Sequence, residues 1–317
     1  MSDSKIVVTG GAGFVGSHVV DLLLPHGPRE IIVIDNLLRG KKENLTEDKR
    51  VNLVVGDIRD QKLMEDIFAG ADYCFHLAAL RITRCAENPT EATEVMINGT
   101  LNVLNMCVKH KLKKLIFSST ASVYGAADVY PTDENHHPYN NRTYYGAMKL
   151  ANESMCRSYF DMYGLNYLAL RYFNIYGPRM DTEGRYTEVM IRWIKAIKEN
   201  TAPTIFGDGK QSMDFVFVKD VAKANILALT STATNEILNI ASGNETSLCE
   251  LADLLLTVLR SDLRANFIPL PSERSKVEVL RRLASVKKAN ELIKFNADTN
   301  TKLVDGLRQL VDWVISI

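Results

Sequence analysis

Short, almost uninterrupted apolar runs punctuate the first half of the chain: KIVVTG (5–10), EIIVID (30–35), VNLVVGD (51–57), DYCFHLAA (72–79), KKLIFSS (113–119) and LNYLALRYF (165–173). Apolar residues at successive rather than alternate positions fit strands covered on both faces, as in a parallel sheet. Between them, at 14–24, 60–69, 91–110 and 143–163, apolar residues recur at helical spacing. Strand–helix alternation of this regularity predicts an α/β fold built on a doubly wound parallel sheet.

After residue 173 the rhythm breaks. NIYGPRMDTEGRYTEVMIRWIKAIKEN predicts a Gly-Pro turn and one helix, and TIFGDGKQSMDFVFVKDVAKANILAL predicts short strands around a Gly-Asp-Gly turn, then a helix. The remainder mixes small helices with a Pro-bounded segment at 269–271. Residues 1–173 are therefore expected to form one domain, with elements near 213–240 returning to it. Residues 174–317 are expected to form mainly a smaller mixed lobe over the sheet's carboxyl edge.

A chain of 317 residues can bury a large core, and Lys plus Arg equal Asp plus Glu at 38 each. Nothing in that balance marks a nucleic-acid binder. The start, MSDSKIVVTGG, lacks a basic stretch followed by a long apolar one, and no apolar run is long enough to span a bilayer. A cytoplasmic protein without membrane contact is expected. The five cysteines form no CxxC, and Cys74, Cys107 and Cys156 lie in apolar segments, which predicts buried free thiols and no metal site.

The first strand runs directly into TGGAGFVGSH. Gly10, Gly13 and Gly16 read as GxxGxxG, and Gly11, Gly13 and Gly16 as GxGxxG. Between a strand and a helix, such glycines permit a tight turn and let a pyrophosphate approach the backbone at the helix N-terminus. The bland alternative is a turn that serves packing alone. Asp35 ends the second strand, where a carboxylate can accept hydrogen bonds from an adenosine ribose and would repel a 2′-phosphate. NAD is therefore expected over NADP in a Rossmann-type domain, although Arg39, Lys41 and Lys42 follow closely. Asp57 either reaches the adenine edge or only shapes the GDIRD turn.

The helix at 143–163 begins with two adjacent tyrosines, of which only Tyr145 has a lysine, Lys149, four residues on. Residues four apart share a helix face, and Tyr144 is turned about 100° away. A cation about 4 Å from a phenol contributes on the order of 4 kcal/mol at an effective dielectric near 20, enough to lower its pKa by roughly three units. Tyr145 is thus expected to be a usable base, helped by the positive charge of a nicotinamide ring. Ser118, Ser119 and Thr120 close the fifth strand, at the edge where ligands bind in such sheets.

TGGAGFVGSH, FHLAAL, SSTASVYG, the Tyr145–Lys149 pair, LRYFNIYGPR and IFGDGKQSMDFVFVKDVAKAN together resemble the extended short-chain dehydrogenase/reductase family. Within it they are most similar to nucleotide-sugar 4-epimerases of the UDP-galactose/UDP-glucose type. The resemblance implies a tightly held NAD that is not consumed. Tyr145 would take the proton of the sugar 4-OH while the C4 hydride moves to the nicotinamide. The 4-keto sugar would then turn over and receive the hydride on its other face. Thr120 matches the catalytic Ser/Thr, Lys149 would hold the nicotinamide ribose, and Asn174 would contact the nucleotide diphosphate.

On the same resemblance, the cofactor site includes Gly10, Gly13, Phe14, Val15 and Gly16 at the first turn, then Asp35, Asn36, Arg39 and Gly40. It continues through Asp57 and Ile58 to Leu77, Ala78 and Ala79, and ends at Ser118, Tyr145, Lys149 and Tyr172. The substrate, a UDP-hexose by resemblance, would meet Arg81, Ser119, Thr120, Tyr145, Asn174, Arg179 and Arg274. Members of this type pair as homodimers through the helices expected near 91–110 and 143–163. Dehydratase relatives carry Asp-Glu after the catalytic Thr, and decarboxylases a Glu at the position of Ser122; here Ala121 and Ser122 stand there.

Two positions depart from the pattern. Met213 replaces an arginine that grips the diphosphate, a charge that Arg179 or Arg274 can replace. Arg282 falls at the position that limits the sugar's C2 substituent, where it either accepts a uronate carboxylate or lies on the surface. The alternatives to epimerisation are dehydration, decarboxylation or 4-keto reduction of a nucleotide sugar, or a non-catalytic dinucleotide sensor on the same fold.

Overall fold

A computed structural model describes residues 1–183, 188–270 and 279–317. Its centre is a seven-stranded sheet of β1 (Lys5–Thr9), β2 (Glu30–Asp35), β3 (Val51–Val55), β4 (Tyr73–His76), β5 (Lys114–Thr120), β6 (Tyr167–Tyr172) and β10 (Glu236–Ile240). The spatial order is β3-β2-β1-β4-β5-β6-β10, with every pair parallel. All six strands expected from the sequence are present, each within a few residues of its expected span. The order reverses beside β1, which opens a crevice at the carboxyl ends of β1 and β4.

The continuous apolar runs reflect two cores. Ile6 and Val8 of β1 face one side with Val19 and Leu23 of α1 (Phe14–Leu23) and Val221 of α8 (Val218–Thr230). Val7 faces the other, with Met64 of α2 (Gln61–Phe68), Val103 of α5 (Thr100–Lys109) and Cys156 of α6 (Tyr144–Tyr163). Cys74, Cys85, Cys107 and Cys156 are buried free thiols.

The helix expected at 91–110 is more complex. Short helices α3 (Ile82–Glu87) and α4 (Pro89–Thr93) come first, residues 94–99 wind as a wider π turn, and α5 completes the segment. The Met96 carbonyl accepts from the side chains of Thr100 at 2.7 Å and Asn152 at 2.8 Å, a tie to α6 that favours the wide turn.

Beyond β6, β7 (Asn174–Tyr176) and β9 (Ser212–Phe217) pair in parallel, and β11 (Glu245–Ser247) joins β9 antiparallel. The strand β8 (Thr204–Phe206) pairs with β12 (Asn266–Ile268). A third core joins Trp193 and Ile194 of α7 (Val189–Lys198), Leu251 and Leu255 of α9 (Leu248–Val258), and Leu307 and Leu310 of α11 (Leu303–Ser316). The preceding helix, α10 (Lys287–Ile293), packs on the sheet domain through Ala289 and Ile293. The cleft lies between this lobe and the sheet's carboxyl edge.

Candidate active site

One end of the cleft is built by backbone. Gly10 takes φ +69°, and a Cβ there would lie 2.7 Å from the Ala78 nitrogen, so the β1 and β4 turns touch in a way only glycine allows. A Cβ on Gly16 would strike the Gly10 carbonyl and lie 2.7 Å from the Gly11 Cα, which fixes α1 tightly over the turn. Beneath it, Thr9 Oγ1 meets His76 Nδ1 at 2.7 Å and accepts from the Ala78 N–H at 3.2 Å. His76 also meets Thr100 Oγ1 at 3.0 Å, and burial pulls its pKa down to about 3, so the ring is a neutral brace.

Asp35 accepts from the N–H groups of Ala12 at 3.1 Å and Leu37 at 2.9 Å. An ionised carboxylate has about four acceptor sites, so it retains capacity for a ribose hydroxyl. Burial pushes its pKa up, and those two N–H groups oppose the shift. Asp57 pairs with Arg59 at 2.7 Å, and Ile58 packs where a Cβ on Gly99 would come within 2.6 Å of it. Gly13, Phe14, Val15, Asn36, Arg39, Gly40, Leu77, Ala79, Ser118 and Tyr172 also line this cleft of ≈1480 Å³. A single drug-sized ligand fills roughly 300–1,000 Å³, so the cleft has room for a dinucleotide and a second ligand.

The reactive cluster stands where β5 meets α6. Thr143 caps α6 by accepting from the Gly146 N–H at 3.1 Å, which starts the helix at the two tyrosines. Tyr145 lines the cleft beside Thr120, whose side chain favours the ionised phenol. Tyr144 is 44% exposed on another face, its hydroxyl 2.6 Å from Thr93 Oγ1. Only Tyr145 shares a face with Lys149, as the spacing predicts. Lys149 is buried beneath the cleft wall and donates to the Ser118 carbonyl at 2.6 Å.

Burial acts against the lowering that Lys149 is expected to give the Tyr145 phenol. Burial pushes the phenol up to about 12, which the Thr120 side chain opposes only in part, and Lys149 Nζ stands 6.0 Å from the ring centroid. Lys149 is itself pulled down to about 8 by burial. Desolvation of both partners offsets the attraction of the cation at i+4.

The hydroxyl run divides by strand alternation. Thr120 faces Tyr145 and lies 3.3 Å from Ser122 Oγ, a cleft residue that sequence reasoning did not assign to the site. Ser119 also lines the cleft and donates its hydroxyl to Glu153 at 2.5 Å. Glu153, one turn beyond Lys149, holds Arg171 through two bonds of 2.8 and 2.7 Å. This buried pair was also missed, because its partners lie on separate elements. Tyr172 gives its hydroxyl to Asn225 at 2.9 Å.

At the opposite wall, Asp181 pairs with Arg39 at 3.1 Å and Arg81 at 3.5 Å, and Arg81 reaches Glu188 at 3.7 Å. Arg179 lines the cleft but pairs with Asp21 of α1 at 2.7 Å, so it is not an uncommitted substitute for the arginine that Met213 replaces. Asn174 lies in an adjoining pocket of ≈200 Å³ shared with Thr120 and Arg282. Arg274 lies outside the described residues.

A profile of the NAD dependent epimerase/dehydratase family matches residues 6–241. The chain belongs to that family. Among its relatives, a protein of Methanocaldococcus jannaschii provisionally named a UDP-glucose 4-epimerase is 38% identical over 312 residues, 98% of each chain. A UDP-N-acetyl-alpha-D-glucosaminuronate decarboxylase of Bacillus cytotoxicus is 32% identical over 98% of this chain and 97% of its own. Among solved structures, the UDP-N-acetylglucosamine 4-epimerase of Methanobrevibacter ruminantium in complex with UDP-N-acetylmuramic acid superposes with a TM-score of 0.93. It is 35% identical over 100% of this chain and 99% of that one. NAD is thus the cofactor of this family, and the glycine turn and Asp35 fit its pyrophosphate and ribose.

Proposed function

We propose that the protein inverts C4 of a UDP-sugar through a transient 4-keto sugar, returning the hydride within one catalytic cycle. The observation that carries this is the composition of the reactive cluster. Tyr145, Thr120 and Ser122 converge in the cleft, with Lys149 beneath them and no acidic side chain following Thr120 in the sequence. Bound NAD supplies the hydride acceptor and donor and, when oxidised, a positive ring charge.

Tyr145 takes the 4-OH proton and later returns it, with Thr120 holding the same oxygen by a hydrogen bond. Lys149 opposes the negative charge that develops on Tyr145, and its bond to the Ser118 carbonyl fixes its position. Dehydration and decarboxylation need a further acid or base. Ala121 is buried and Ser122 carries only a hydroxyl, so the relatives' names that specify decarboxylation do not extend to this cluster. On this reading the chain acts on UDP-sugars, the substrate type that the names of those relatives give for them.

The same reading assigns residues 1–173 mainly to NAD and 174–317 mainly to the sugar nucleotide. It also makes the protein a cytoplasmic homodimer. Exposed Leu101 on α5 and Met162 and Tyr163 on α6 support pairing through those helices, and the buried free thiols suit a reducing compartment. The test is to incubate the NAD-loaded protein with a panel of UDP-hexoses and follow products by NMR. C4 epimers at equilibrium support the proposal; a pentose or a 6-deoxy-4-keto product overturns it.

A further inference from the structure

We infer that Asp128, His136 and His137 form a binding site for a divalent transition-metal ion of the zinc and nickel class, on the loop that joins β5 to α6. The expectation of no metal rests on cysteine spacing, whereas here two adjacent histidines meet an aspartate from across the loop. One ligand atom from each residue lies within 4.8 Å of the other two. Atoms bound to one ion at about 2.0–2.2 Å stand at most about 4.4 Å apart, so adjustments of less than about 1 Å bring all three onto it.

The rings are held by packing that needs no ion. His136 meets buried Tyr124 edge-on, with ring centroids 5.9 Å apart, and His137 lies between His136 at 4.5 Å and Tyr139 at 5.2 Å. His136 Nδ1 can only donate to the His137 carbonyl, 2.7 Å away, and Nε2 accepts from the Asp128 N–H at 2.9 Å. Nε2 therefore carries the lone pair that a metal needs. Metal-binding histidines are commonly oriented in this way, through the other ring nitrogen. Asp128 is oriented likewise: Oδ1 accepts from the Asn140 side chain at 2.9 Å, and Oδ2 faces His137 Nε2 at 2.8 Å. An ion entering there takes the place of the proton between those two atoms.

Two hydrogen bonds oppose occupation. The Asp128 N–H gives up His136 Nε2, and the Tyr139 N–H gives up His137 Nδ1, 3.3 Å away, because that nitrogen must then carry the ring proton. Both bonds lie on the surface, where water replaces them. Two imidazoles and one carboxylate favour zinc, nickel, cobalt or copper over magnesium and calcium, which prefer oxygen ligands. Three protein ligands leave a coordination position to water. None of the three residues lines the cleft, so the ion is a clip on the loop leading into α6 and takes no part in the reaction.

The test is calorimetric titration of the tag-free, chelator-treated full chain, with NAD bound, using Zn²⁺, Ni²⁺ and Mg²⁺ separately. Wild type should bind one Zn²⁺ or Ni²⁺ per chain, about tenfold or more tighter than Mg²⁺, and its Tm should rise on binding. His136→Gln, His137→Gln and Asp128→Asn should each weaken Zn²⁺ by about tenfold or more and reduce the rise in Tm. Cys249→Ser, which removes the one thiol that is not fully buried, should change neither. NAD affinity within about twofold of wild type shows that the variants fold. Wild type without one-to-one binding at a Kd below about 1 mM would overturn the inference. So would Zn²⁺ binding that survives both histidine substitutions or is lost in Cys249→Ser, and so would Mg²⁺ bound as tightly as Zn²⁺.

Discussion

Tyr145→Phe and Tyr144→Phe remove the same oxygen from adjacent residues, so any difference between them reports position alone. At Tyr145 the ring lines the cleft beside Thr120. General acid–base catalysis by one group is worth about 10²–10⁴ in rate, or about 3–5 kcal/mol of barrier. Because that interaction is made with the reacting oxygen, kcat should fall by this factor with little change in KM. At Tyr144 the loss is one hydrogen bond of 2.6 Å to Thr93 on an exposed face. It should cost about 0.5–1.5 kcal/mol of stability and leave kcat within about twofold. Initial rates of C4 inversion by NMR, with Tm measured alongside, separate the two effects. A Tyr144→Phe variant as inactive as Tyr145→Phe would refute the helical-face argument, and so would a Tyr145→Phe variant retaining more than about a tenth of wild-type kcat.

Two further predictions concern buried charge. Asp35→Asn should weaken NAD binding by about tenfold or more, the loss of a charged acceptor for a ribose hydroxyl, and should narrow discrimination against NADP. Cofactor titration checks both, and tighter binding of NADP than NAD by wild type would contradict the role given to Asp35. Lys149→Met should abolish activity yet stabilise the cofactor-free protein near pH 7. The folded pKa of Lys149 is lowered to about 8 by burial, so the unfolded chain binds more protons between that value and the ordinary lysine range. Wild-type stability therefore rises with pH across that window, and the variant's advantage of roughly 3 kcal/mol, offset in part by loss of the bond to Ser118, should shrink as it does. Chemical unfolding from pH 7 to 10.5 measures this, and an advantage that grows with pH would reverse the sign.

The strands were legible because Ile6 and Val8 serve one core while Val7 serves the other, which leaves no polar position along the run. The Tyr145–Lys149 face was legible because helical spacing is local. The π turn at 94–99 was not, since Asn152 must arrive from a distant helix to take the Met96 carbonyl. The hydroxyl run looks uniform in sequence, yet Ser119 alone gives its hydroxyl to Glu153, 34 residues further on. The balance at Tyr145 was hidden for a related reason. A sequence supplies the charge at i+4, whereas the burial that opposes it belongs to the whole fold.

The central claim is that C4 inverts by removal and internal return of the same hydride. It is tested most directly by running the reaction in D₂O with the NAD-loaded protein and a UDP-sugar it turns over. Inversion is expected with protium retained at C4 of the product, and catalysis without added cofactor. Deuterium at C4 would mean that the hydrogen had exchanged with solvent as a proton, and would contradict the account.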